Sequence, residues 1–152
     1  MKSYSYNPRS VPHPARGAEH LYYLSNRLFF KGWYRFANII KHLNTMLFRN
    51  HIPPSVTIGK RLELAHGGCG VVIHSDTIIG DDAIIFQNVT IGNGGTIIGD
   101  RVYIGAGAVI LGEIEIGNDV AIGANAVVNF SVSNGATVVG PKARIIEDKK
   151  IG

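Results

Sequence analysis

The sequence predicts a mainly β protein, a parallel β-helix of about four to five short turns with a small α-helical segment ahead of it. Three observations carry this. From Ile52 onward an aliphatic residue returns every six positions. Glycine fills the second position in seven of the thirteen six-residue units between Ile52 and Ser133, and the fifth position is nearly always small or β-branched. Residues 19–50 instead repeat their apolar positions at helical spacing.

Residues 1–18 carry three prolines and no apolar period, so they read as an extended arm. Residues 19–50 read as helical with a break at Gly32: in the second piece Phe36, Ile39, Ile40, Leu43 and Leu47 recur along one face. Residues 1–50 hold eight Lys/Arg against the single acid Glu19, a net +7, whereas residues 51–152 have a net −3. Basic aromatic helices of this kind either lie on an anionic membrane surface or pack on the following domain or a neighbouring subunit; packing is the expectation, with peripheral membrane contact through residues 19–50 the alternative. No nucleic-acid-binding motif accompanies the charge. No apolar run approaches the roughly 18 residues of a membrane span. The N-terminus lacks the pattern of a signal peptide, and a lone cysteine forms no internal disulfide, so a cytoplasmic location is expected.

Residues 51–140 are the repeat. Six residues suit a short strand and a corner, and three units make one 18-residue turn of a triangular coil. The aliphatic first position fills the interior, the small fifth position fits beside it, and the second-position glycine eases the corner. Residues 141–152 read as a C-terminal cap or tail.

The period gains one extra residue at Ile97, and its larger break is in "ELAHGGCGVVIH", residues 63–74, where the next aliphatic beat comes three residues late. With units stacked three to a turn, Leu64, Ile85, Ile104 and Ile122 share a face. Two residues further on, His66, Gln87, Ala106 and Ala124 fall in one corner column. Alanines flanked by Gly105 and Gly123 leave an open groove with reachable backbone amides, suited to a long, thin, amide-containing ligand such as the pantetheine arm of coenzyme A.

"IPPSVTIG", "HGGCGVVIH", "IFQNVTIG", "VYIGAGAVILG", "IEIGNDVAIGANAVV" and "VVGPKARII" resemble segments of the hexapeptide-repeat acyltransferases, over roughly Ile52 to Ile146. Within that family the chain is most similar to serine acetyltransferases and to their short relatives in capsule and exopolysaccharide biosynthesis. The resemblance implies a left-handed coil, a homotrimer with coenzyme A in a groove between subunits, acetyl-CoA as cosubstrate, and His66 as general base. It assigns Gly92, Asn93, Gly105, Ala106, Gly123 and Ala124 to the cofactor groove, with Lys142 and Arg144 as partners for the phosphates. His51, His74 and Gln87 are accessory candidates: His51 to orient His66, His74 to assist the acceptor, Gln87 to polarise the thioester carbonyl. Cys69 reads as small-residue packing.

The departures from serine acetyltransferases concern the acceptor. Where the family has an aspartate supporting the histidine stands His51. Where another aspartate precedes the histidine stands Ala65. The loop after "VTIG" is about six residues shorter and lacks its Arg-His pair. An amino-acid zwitterion would find few partners there, so the expected acceptor is a hydroxyl of a sugar or glycan, with serine the alternative. Two distant readings are a γ-class carbonic anhydrase and a non-catalytic assembly subunit. His51, His66 and His74 do not fall at matching corners, so no metal is expected.

Overall fold

A computed structural model describes residues 17–92 and 94–143. Residues 1–16 of the expected arm, Asn93, Arg144 and most of the C-terminal tail lie outside the described residues, and the last two residues of that expected arm, Gly17 and Ala18, instead open the first helix. Two helices come first, α1 (Gly17–Phe30) and α2 (Tyr34–Phe48), with the break at Gly32, whose φ is +81°.

Among the described residues thirteen two-residue strands then wind into a coil. The first turn is β1 (Thr57–Ile58), β2 (Glu63–Leu64) and β3 (Val72–Ile73); the second is β4 (Ile78–Ile79), β5 (Ile84–Ile85) and β6 (Thr90–Ile91). The third is β7 (Ile97–Ile98), β8 (Tyr103–Ile104) and β9 (Val109–Ile110), and the fourth is β10 (Glu115–Ile116), β11 (Ala121–Ile122) and β12 (Val127–Val128). β13 (Thr137–Val138) adds one further strand. They stack as three parallel sheets, β1-β4-β7-β10, β2-β5-β8-β11-β13 and β3-β6-β9-β12. The register joins Leu64, Ile85, Ile104, Ile122 and Val138 on one face, as the period requires.

The second residue of each pair points inward, and Leu64, Ile73, Ile79, Ile85, Ile91, Ile98, Ile104, Ile110, Ile116 and Ile122 are all fully buried. Fifth-position residues such as Ala83, Val89, Val102 and Ala108 are buried beside them. Apolar column against apolar column is the dry core that drives the winding.

The glycine expectation is corrected. The left-handed corner residue is the fourth of the unit: Arg61, Asp82, Asn88, Arg101, Asp119 and Asn125 all have φ between 56° and 60°. Second-position glycine serves close approach instead. A Cβ on Gly80 would sit 2.3 Å from Asp100 Oδ1, and one on Gly99 2.4 Å from Asn118 Oδ1. Those oxygens accept backbone N–H groups of the turn before: Asp81 N–H donates to Asp100 Oδ1 (2.8 Å) and Asp100 N–H to Asn118 Oδ1 (2.7 Å). Side chain occupies the space a Cβ would need.

A coil has two open ends, each with unpaired backbone groups. α1 covers the first. Tyr22 hydroxyl donates to Val56 carbonyl (2.7 Å), and Asn26 Nδ2 donates to Pro54 and Val56 carbonyls (both 2.9 Å). Tyr23 hydroxyl donates to Gly59 carbonyl (2.5 Å) and accepts the Leu62 N–H (3.2 Å). Packing on the following domain therefore holds for α1. It does not hold for the apolar stripe of α2. Phe36, Ile39, Leu43 and Leu47 are exposed, and the buried positions are Ala37 and Asn44. No helix among the described residues is long and apolar enough to cross a membrane.

Candidate active site

The broken repeat sits at the corner after β2. Ala65–Gly68 forms one 3-10 turn in which His66 (φ 56°), Gly67 (φ 71°) and Gly68 (φ 69°) are successively left-handed. Two glycines take that conformation freely; His66 takes it at a cost of about 1 kcal/mol.

The corner column differs from the arithmetic. Asn88 N–H donates to Cys69 carbonyl (2.9 Å), Gly107 N–H to Gln87 carbonyl (3.0 Å) and Asn125 N–H to Ala106 carbonyl (2.9 Å). Cys69, not His66, therefore stacks on Gln87. The three extra residues lie between Leu64 and Cys69, because Val72 and Ile73 must stay in register with Thr90 and Ile91 to keep Ile73 in the core. The slack is expelled as a bulge ahead of Cys69, and His66 rides on it, exposed at the head of the corner rather than in its wall.

The His66 ring meets Phe86 edge-on, centroids 6.2 Å apart at 67°, and Phe86 meets Tyr103 at 5.2 Å. Phe86 was not among the sequence candidates. It occupies the second position where Gly105 and Gly123 stand one and two turns on, so its bulk at a glycine position was the available signal. Phe48 at the end of α2 braces the turn from another side: a Cβ on Gly67 would lie 3.1 Å from its ring.

Gln87, Ala106 and Ala124 do share the corner. Gln87 Oε1 is buried with no hydrogen-bond partner among the described residues. Beside it, Gly105 lets the chain approach closely, since a Cβ there would sit 2.6 Å from Ala124 N. A buried orphan acceptor beside small residues fits an N–H-bearing chain laid along the column.

The remaining candidates lie elsewhere. Gly92 follows β6 at a different corner, and His74 stacks beneath it, its N–H donating to Ile91 carbonyl (2.9 Å). His74 Nδ1 pairs with Asp76, which holds that carboxyl below its ordinary range. His51 forms an extra rung beside β3: its N–H donates to Val71 carbonyl (2.8 Å) and its carbonyl accepts the Ile73 N–H (3.0 Å). Partial burial, then Lys41 and His42, hold its imidazole below the usual histidine range. Lys142 is exposed beyond β13. Among the described residues no group of three or more His, Cys, Asp or Glu is placed to hold a metal ion.

Residues 95–129 match the family described as bacterial transferase hexapeptide (six repeats). The chain is 40% identical over 132 residues to the serine acetyltransferase of Helicobacter pylori, spanning 82% of this chain and 77% of that relative. Among solved structures it is similar to Neisseria gonorrhoeae serine acetyltransferase in complex with serine, with a TM-score of 0.76 and 34% identity over 84% of this chain and 55% of that one. It is likewise similar to Brucella abortus serine acetyltransferase in complex with coenzyme A, with a TM-score of 0.76 and 33% identity over 85% of this chain and 54% of that one. The chain thus spans little more than half the length of those two solved chains.

Proposed function

The chain belongs to the hexapeptide-repeat transferase family, its relatives there being serine acetyltransferases, and from that premise we propose that it transfers the acetyl group of acetyl-CoA to the hydroxyl of serine. The observation that carries the reading is an exposed histidine on a strained turn at the head of a small-residue corner with a buried, orphaned acceptor.

Acetyl-CoA, when bound, supplies an activated acyl carbonyl; the rest falls to this chain. Gly105, Ala106, Gly123 and Ala124 admit the thin pantetheine arm, and Gln87 Oε1 accepts one of its amide N–H groups. Lys142 and Arg144 meet the phosphates. Neutral His66 takes the acceptor hydroxyl proton as the oxygen attacks, then returns a proton to the departing thiolate. A backbone N–H of the Ala65–Gly68 turn stabilises the developing oxyanion. Two copies of the chain wall the groove in a homotrimer.

The glycan acceptor expected from Ala65, His51 and the short segment after Ile91 is not what the relatives support. Those residues keep a sugar hydroxyl as the second reading, since Ala65 places no carboxylate next to His66 for an ammonium group. Thiol release from acetyl-CoA across L-serine and a panel of monosaccharides separates the two. Serine-dependent release at least tenfold above every sugar is the expected result; release with a sugar and none with serine would reverse the assignment.

A further inference from the structure

The turn that carries His66 leaves the coil at Leu64, and Leu64 belongs to β2, the end strand of its sheet. Among the described residues no lower rung lies beneath it to accept its N–H, and an unpaired buried amide is costly. The acceptor comes from 45 residues earlier. Leu64 N–H donates to Oε1 of Glu19 (2.7 Å), in the first turn of α1. Glu19 is only 1% exposed, and its Oε2 is buried without a hydrogen-bond partner among the described residues. The mechanism above uses neither oxygen.

We propose that Glu19 is a positioning residue for His66, fixing the Leu64 amide from which the Ala65–Gly68 turn departs. The assignment rests on His66 being the general base. One hydrogen bond has this leverage because the turn consists of three consecutive left-handed residues bulged from the coil, two of them glycine, so its direction is set by its ends. Phe48 against Gly67 braces the middle. Glu19 fixes the start. The groove residues Gly105, Ala106, Gly123 and Ala124 belong to later turns and do not depend on it. Loosening the turn should therefore slow the chemical step and leave acetyl-CoA binding unchanged.

The test is a set of variants of the full chain. Glu19→Gln keeps the reach and the acceptor oxygen but removes the charge. Glu19→Asp keeps the charge but is one methylene too short. The kcat of the Gln variant should lie within about threefold of wild type and that of the Asp variant at least about tenfold lower, with the acetyl-CoA KM within about twofold in both. Hydrogen exchange at the Leu64 amide should stay slow in the Gln variant and speed up in the Asp variant. If the aspartate variant fails to fold, Glu19→Met, similar in length and with only a weakly accepting thioether in place of the oxygen, takes its place with the same expectation. An Asp variant with wild-type kcat and a protected Leu64 amide would overturn the proposal. So would the reverse order, Asp tolerated and Gln impaired, which would mark a buried charge rather than a reach. His66→Ala runs in parallel: wild-type turnover there would overturn the general-base reading and this assignment with it. Leu64 exchange, which needs no turnover, tells the two failures apart.

Discussion

His66 holds a left-handed backbone (φ 56°) that few non-glycine residues adopt, and it does so between an aliphatic rung and two glycines. Strain of this kind persists only where the surroundings hold it. The surroundings here are Glu19, Phe48 and Phe86. Glu19 also gives a pH signature of its own. Burial raises its carboxyl above the ordinary value of 4.5, the Leu64 N–H only partly opposing the shift. Between the ordinary and the raised value the folded protein keeps a proton that the unfolded chain has released. Glu19's contribution to stability is thus full below pH 4.5 and declines as pH rises through the raised value. Glutamine has nothing to titrate. The melting temperature of Glu19→Gln, relative to wild type, should therefore climb as pH rises from 4 toward neutrality; a difference that stays flat would contradict it. None of this was legible from the sequence. A lone acid in a basic segment reads as a surface charge, and no periodicity reveals a partner 45 residues away.

At the scale of the element, the six-residue unit is a two-residue strand and a corner whose fourth residue turns left-handed. Second-position glycine leaves room for the Asx oxygen of the next turn. Gly99→Ala would thrust a Cβ to 2.4 Å from Asn118 Oδ1 and 2.9 Å from Gly117 carbon, at a φ alanine otherwise tolerates. A loss of about 1–3 kcal/mol is expected, measured by chemical denaturation; an unchanged midpoint would show that the corner yields. The strand registers were legible because aliphatic spacing alone sets them. The corners were misassigned because glycine marks both left-handed φ and close approach, and sequence does not separate the two. The location of the slip was hidden for a similar reason. Between Leu64 and Ile73 the only Val, Ile or Leu residues are Val71 and Val72, which do not locate the extra residues, and only the demand that Ile73 stay buried places them before Cys69.

At the scale of the whole molecule, α1 closes one end of the coil while α2 turns its most apolar stripe outward. Phe36, Ile39, Leu43 and Leu47 of that stripe remain uncovered in the single chain, as do Phe30 (65% exposed), Trp33 and Met46 (72%) beside it. Helical spacing identified the stripe but not its direction, because α2 seats against α1 through the small and polar Ala37 and Asn44. Sedimentation velocity should find three times the chain mass, as the proposed homotrimer requires; a monomer at micromolar concentration would leave the groove with one wall and contradict that assembly. The proposed reaction is acetyl transfer to serine with His66 as the base. Its most direct test is serine-dependent thiol release from acetyl-CoA by wild type and His66→Ala. Wild type should release thiol, and the variant should lose about a hundredfold or more in kcat, the usual worth of a general base. Equal turnover by the two proteins would contradict it.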